Sequence, residues 1–331
     1  MTQPSPIVPR KLRRGDTIRV VAPARSRAFV AEHDHSGLIQ DRFAALGLRL
    51  TFAEHVDERD DFDSSSVASR VEDLHAAFAD PEVAGILTVI GGFNSNELLA
   101  HLDWDLIAAN PKIFCGYSDI TALQNAILAR TGMVTYSGPH WSTFGMRDYF
   151  EQTQQWFVQA LFSEEAIEPH AAESWTDDMW FADQDNRTVR QNDGWWPLRS
   201  GQATGRIIGG NLCTLNLLQG TPYMPSLDGA LLMIEDDQLT EAKELARNLT
   251  SLLQVPDADG VQGLVIGRFQ HASGVTRALV EQIIARQDRL TGLPVLANVD
   301  FGHTYPLATF PIGGRAALTV GATTSLCLSD T

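Results

Sequence analysis

Short apolar runs, closed by glycine, proline or polar clusters, alternate through the first half of the chain with stretches whose apolar positions recur every three to four residues. Strand and helix therefore take turns. TIRVVAPA, from Thr17, reads as a buried strand, Ile39 to Leu46 as a helix stopped near Gly47, and RLTFAEH as a second strand. DERDDFDSSS is a solvated acidic loop, Val67 to Ala79 a helix, and VAGILTVI a strand halted at Gly91-Gly92, with Asn94 capping the next helix. KIFCG is the following strand; its helix runs from Asp119 to Arg130 and closes at Gly132, and MVTYSGP is one more short strand. Repeated strand–helix units predict a parallel sheet with helices on both faces, and a binding crevice at the strand C-termini.

The period is lost between about Ser163 and Ala203, where SWTDDMWFADQDNRTVRQNDGWWPLRSG carries four of the seven tryptophans. So many aromatics suit an ordered, functional connection better than a disordered linker. Beyond it, GRIIGG is a strand, a helix starts at Asn211, and ALLMIE, GLVIGRF, PVLANV and AALTVG are strands. Helices fall at Glu241 to Leu253 and Val275 to Arg286. The expected domains are 1–163, a connecting loop over 164–204, and a smaller strand-rich domain over 205–331.

Composition narrows the partners. Forty-one acidic against 25 basic residues give a net charge of −16, a field that repels nucleic acid polymers and anionic membrane while leaving a local nucleotide pocket open. No apolar run approaches the roughly 20 residues of a membrane span, and no apolar stretch precedes the basic cluster near residue 10 as a signal peptide would. Cys115, Cys213 and Cys327 show no CxxC spacing, so neither disulfides nor zinc is suggested and the cytoplasm is the expected compartment.

Three positions at expected strand ends could carry chemistry. Ser118 either caps the helix that follows it or stands as a nucleophile at a sharp strand-to-helix turn, beside the positive end of the helix dipole. Gly91-Gly92 ends a strand of the same sheet, and an N–H from that turn together with the Asp119 N–H could hold an oxyanion. A serine nucleophile needs a base and an orienting group. Of nine histidines, His33, His35, His55, His75 and His101 fall in loops or on exposed faces, whereas His303, in NVDFGHTYP, can project into a crevice. Glu235 ends ALLMIE and is followed by Asp236 and Asp237: a solvated turn, a metal site, or a carboxylate that orients a histidine. No HExxH or paired-histidine spacing supports metal. The chain order serine, acid, histidine is that of the α/β-hydrolases, but their G-x-S-x-G elbow requires glycine where Ile120 stands.

GGFNSNELL, FCGYSDITALQNAI, YSGPH, GRIIGGNLCTLNLLQGTPY, LLMIEDD and ANVDFGHTYP, in that order, resemble the motif set of the LD-carboxypeptidase family of serine peptidases across nearly the whole chain. The resemblance implies a Ser118–Glu235–His303 triad, oxyanion donors at Gly92 and Asp119, and substrate contacts at Gly91, Trp180 and Asn211. It implies a flavodoxin-like parallel-sheet N-terminal domain with a smaller β-rich C-terminal domain, a homodimer, and no cofactor or metal. One branch of the family trims D-alanine from murein tetrapeptides. The other, the microcin C self-immunity branch, hydrolyses peptidyl or aminoacyl nucleotides, and the tryptophan-bearing segment resembles it. Trp180 is the expected stacking residue by position, with Trp175 as the alternative; the competing reading has these rings pack the domain interface.

Overall fold

Parallel pairing of β1 (Thr17–Val21), β2 (Arg49–Phe52), β3 (Val83–Thr88), β4 (Ile113–Gly116) and β5 (Thr135–Ser137) builds the first sheet in the order β2-β1-β3-β4-β5. The computed structural model describes residues 6–30 and 35–330. Apolar side chains bury both faces of the central strands, as parallel sheets between helices require. The register pairs Leu87 of β3 with Cys115 of β4, so the two strands end level and bring Gly91-Gly92 beside Ser118.

The second half forms a seven-stranded sheet. After a short ribbon of β6 (Ser174–Trp175) and β7 (Arg190–Gln191) come β8 (Trp196–Arg199), β9 (Gly201–Asn211), β10 (Ala230–Glu235), β11 (Gly263–Gly267) and β12 (Val295–Val299). The chain then makes β13 (Phe310–Ile312), β14 (Arg315–Val320) and β15 (Ser325–Ser329). The sheet order is β15-β14-β9-β10-β11-β12-β8, with β9 to β12 parallel and the outer strands antiparallel. The protein is thus α/β, a flavodoxin-like parallel-sheet domain joined to a β-rich one. No helix among the described residues is long and apolar enough to cross a membrane.

Several elements differ from the sequence reading. Residues 164–204 contain β6, β7, β8 and the start of β9, because Trp196–Arg199 pairs with the edge of β12. Strand β13 leaves the second sheet and pairs antiparallel with β5, extending the first. A helix over Glu151–Phe162, whose Trp156, Phe157, Ala160 and Leu161 are buried, and the final strand β15 add to the expected set. Asn94 makes no capping bond; its side-chain oxygen accepts from the Ser64 hydroxyl at 3.1 Å.

The two sheets meet where the helix Thr121–Thr131 lies against the end of β9. The Thr121 hydroxyl accepts the Asn211 N–H at 2.9 Å, and the Asn125 amide donates to the Gly209 carbonyl at 2.8 Å. Gly210 sits at φ +108°, and a Cβ there would lie 2.4 Å from the Thr121 hydroxyl oxygen. Gly210→Ala should therefore lower unfolding free energy by ~1–3 kcal/mol and reduce turnover as well, since Ser118 directly precedes this helix. Denaturant unfolding and steady-state kinetics on the variant check this, and wild-type values for both would contradict it.

Candidate active site

Strand β4 ends at Gly116, and two residues later Ser118 adopts φ +61°, a left-handed conformation that costs a non-glycine residue energy and is held only where the surroundings enforce it. A short 3-10 turn, Ser118–Ile120, then opens the helix Thr121–Thr131. The Ser118 hydroxyl caps nothing. It lies 3.0 Å from His303 Nε2, and His303 Nδ1 lies 2.7 Å from Glu235 Oε2. A carboxylate can only accept, so Nδ1 carries a proton toward Glu235 and Nε2 is left to accept from Ser118. Glu235 is buried at the end of β10, and His303 stands on the loop after β12. The three side chains thus come from two sheets.

Burial pulls the His303 imidazole down in pKa, but the charge and hydrogen bond of Glu235 outweigh it, helped by Asp237 and Asp236, and leave it raised above its ordinary value. The Asp236 carboxyl is pushed up to about 7 by its own burial and by the Glu235 charge. This pair is a buried one rather than a solvated turn: Asp236 accepts from the Asn211 amide at 3.1 Å. Among the described residues no group of three or more His, Cys, Asp or Glu is placed to hold a metal ion.

Across from Ser118, a Cβ on Gly91 would lie 2.9 Å from Ser118 Cβ and 3.5 Å from the Asp119 nitrogen, so only glycine permits this approach. Neither the Gly92 nor the Asp119 N–H donates to a described residue. The Asp119 side chain accepts the Ser95 N–H at 2.9 Å, and its carbonyl accepts the Ser95 hydroxyl at 2.7 Å. Those bonds tie the nucleophile turn to the segment after the glycine pair. Burial raises the Asp119 pKa against the Ser95 bonds that oppose it.

Two expected substrate contacts, Asn211 and Trp180, have partners within the chain. Asn211 is an N-cap: its oxygen accepts the Thr214 N–H at 3.0 Å while its amide reaches Asp236. Trp180 is only 5% exposed, with its ring 5.9 Å from His35 and 6.0 Å from Phe181. Trp175 is half-buried, with Arg190 and Arg268 within 5.7 and 5.4 Å of its ring. Of the histidines set aside, His33 lies outside the described residues, His55 bonds Asp73 at 2.9 Å, and His75 accepts the Asp103 N–H.

Sequence reasoning missed the aromatic bed beneath the site. The Tyr117 ring stacks on His140 at 4.3 Å and meets His303 edge-on at 5.2 Å, while its hydroxyl lies 3.1 Å from that of Tyr305. His140 Nδ1 lies 2.7 Å from the Thr88 hydroxyl, and burial, with the His303 charge, lowers its pKa to about 3, so it stays neutral. Tyr305 exchanges backbone bonds of 2.8 Å with Thr176, joining the histidine loop to the tryptophan-bearing segment. YSGPH holds His140, GHTYP holds Tyr305 and FCGYSDITALQNAI holds Tyr117, each residue just past a strand.

Residues 18–138 match the family model of the LD-carboxypeptidase N-terminal domain, and residues 204–318 that of its C-terminal domain. The chain belongs to the LD-carboxypeptidase family. Within that family it is 49% identical to YocD of Bacillus subtilis, a carboxypeptidase by assignment only, over 93% of this chain and 94% of that one. It is 30% identical to the microcin C7 self-immunity protein MccF of Escherichia coli, covering 96% and 94% of the two chains. With the murein tetrapeptide carboxypeptidase of Pseudomonas aeruginosa it shares 28% identity over 82% and 84%. An MccF-like protein from Bacillus anthracis superposes with a TM-score of 0.96 at 48% identity, covering 98% of this chain and 100% of that one. MccF in complex with glutamyl sulfamoyl guanosine superposes at 0.87 and 26% identity, covering 98% and 99%. Membership in this family makes the chain a serine peptidase or hydrolase.

A base at His303 works only when neutral. Because the His303 pKa lies above the ordinary 6.5, kcat/KM should rise with pH through a midpoint above 6.5 and hold at alkaline pH. Glu235→Gln removes the charge that raises it, so the midpoint should move down while the plateau falls. A pH–rate profile unchanged in midpoint by that substitution would contradict the assignment.

Proposed function

We propose that this chain hydrolyses the amide bond of peptidyl or aminoacyl nucleotides through Ser118, His303 and Glu235. The observation that carries the reading is the hydrogen-bonded chain Ser118–His303–Glu235, built on a serine at φ +61°. Ser118 Oγ attacks the carbonyl carbon while His303 Nε2 takes its proton, and the carbonyl oxygen becomes an oxyanion. The N–H groups of Gly92 and Asp119 hold that oxyanion; in other hydrolases one such donor is worth on the order of 10²–10³ in rate. His303 then gives the proton to the leaving nitrogen as the C–N bond breaks. Water, deprotonated by His303, releases the acyl group and restores Ser118. Glu235 keeps the imidazole in the tautomer that presents Nε2 to Ser118 and stabilises the imidazolium.

The nucleotide preference draws on the likeness of nearly the whole chain to MccF, which binds glutamyl sulfamoyl guanosine. A second reading, L,D-carboxypeptidase action on murein tetrapeptides, is favoured by the burial of Trp180, whose ring presents no open face for a base. In the nucleotide reading the base takes the place of His35 or Phe181 against that ring when substrate enters. The same proposal has the enzyme act in the cytoplasm, as a homodimer, without metal or organic cofactor.

Hydrolysis of an aminoacyl sulfamoyl adenylate and of a murein tetrapeptide by the same preparation separates the readings. Stacking contributes ~1–3 kcal/mol per base, so Trp180→Ala should weaken adenylate binding roughly 5- to 150-fold, and Trp180→Phe much less. Tetrapeptide hydrolysis by the folded Phe variant should stay near wild type. Equal losses on both substrates would make Trp180 a packing residue and favour the murein reading. Activity should also survive exhaustive chelation; loss restored by zinc would direct attention to Glu235, Asp236 and Asp237.

A further inference from the structure

The arginines around the corner between β1 and the glycine turn mostly have carboxylate partners. Arg27 pairs with Asp57, Arg59 with Asp63, and Arg70 with Glu97. Arg25 pairs with no carboxylate among the described residues, and its Nε is buried without a hydrogen-bond partner. Arg25 thus keeps a charge that no carboxylate among the described residues offsets. Buried donors are normally satisfied, so an orphan one beside the glycine turn calls for an explanation.

Its position says where. Arg25 lies just past the C-terminal end of β1, on the side of a parallel sheet where crevices open. Its N–H donates to the Gly91 carbonyl at 3.3 Å, and its Cγ would be 3.3 Å from a Cβ on Gly92. The guanidinium lies over the Phe29 ring, 4.8 Å from the centroid, which limits how it can turn. Immediately after the glycine pair, Phe93 is 50% exposed.

We propose that Arg25 binds an anionic group on the leaving side of the scissile amide, next to the glycine turn; this rests on the hydrolase reading above. The chemistry of both candidate substrates supplies such a group. D-Alanine released from a tetrapeptide carries its carboxylate one carbon from the amide nitrogen. A nucleotide phosphoramidate or acyl sulfamate carries its phosphorus or sulfur directly on that nitrogen, with the phosphoryl or sulfonyl oxygens one bond further out. Either presents paired oxygens to a planar guanidinium, the geometry arginine recognises best. Arg25 is then a specificity residue: it contributes to binding and to placing the amide against Ser118, and takes no part in proton transfer.

Calorimetric titration with product-like ligands tests this without turnover. D-Lactate, the hydroxy analogue of released D-alanine, is compared with its neutral carboxamide, and adenosine monophosphate with adenosine, on the wild type, Arg25→Gln and Arg25→Lys. At least one anion should bind the wild type about tenfold or more tighter than its neutral twin, as a hydrogen-bonded charge pair allows. Arg25→Gln should abolish that preference, Arg25→Lys should keep part of it, and the neutral twins should bind all three proteins alike. Which anion shows the preference identifies the carboxylate or the phosphoryl group as the natural partner. A wild type with no preference, or a preference that survives Arg25→Gln, overturns the proposal. Anion binding that depends on Arg25 in a protein that hydrolyses neither substrate would instead retire the hydrolase reading and leave the anion site standing.

Discussion

The hydrogen bond between Ser118 and His303 spans two domains, and so the contact that fixes those domains governs everything built on it. Thr121 and Asn125, on the helix that starts beside the nucleophile, bond the backbone of Asn211 and Gly209 at the end of β9. Glu235 ends β10, the strand paired in register with β9 from Arg206 to Asn211. A shift of this helix against β9 would therefore move Ser118 away from the imidazole that Glu235 holds. The chain reinforces the join by sending β13 back to the first sheet, so the segment after His303 is anchored in the domain that carries Ser118.

Electrostatics follow from the same burial. Glu235 and Asp236 are both buried at the end of β10; burial and the Glu235 charge push the Asp236 carboxyl up to about 7, while the Glu235 charge raises the His303 imidazole against its own burial. His140, only one ring away through Tyr117, is kept neutral by burial and so does not compete with His303 for that charge. The aromatic bed supports the imidazole by shape while contributing no charge of its own. Asp119 holds the turn through its carboxyl, which accepts the Ser95 N–H.

Much of this could be read from the sequence because it depends on local pattern. Strands that stop at glycine, and helices closed by Gly47 and Gly132 in the left-handed conformation, appear where periodicity placed them. Ser118, Glu235 and His303 were visible because each stands at or just past a strand end, where a parallel sheet puts its chemistry. What escaped depends on contacts between distant segments. The burial of Trp180 is decided by His35 and Phe181, and β13 is three residues long, defined only by its partner β5. The bond from the Asn211 amide to Asp236 likewise joins residues far apart in the chain. Arg25 carries no sequence signal at all; only the lack of a partner in three dimensions singles it out.

The central claim is that Ser118 is a nucleophile activated by His303. Covalent labelling with a fluorophosphonate, followed by mass spectrometry of the digested protein, measures it without assuming a substrate. The account predicts a single adduct on the peptide carrying Ser118, with a labelling rate that collapses in folded His303→Ala. An adduct at another residue, or labelling of Ser118 at the wild-type rate in that variant, would contradict it.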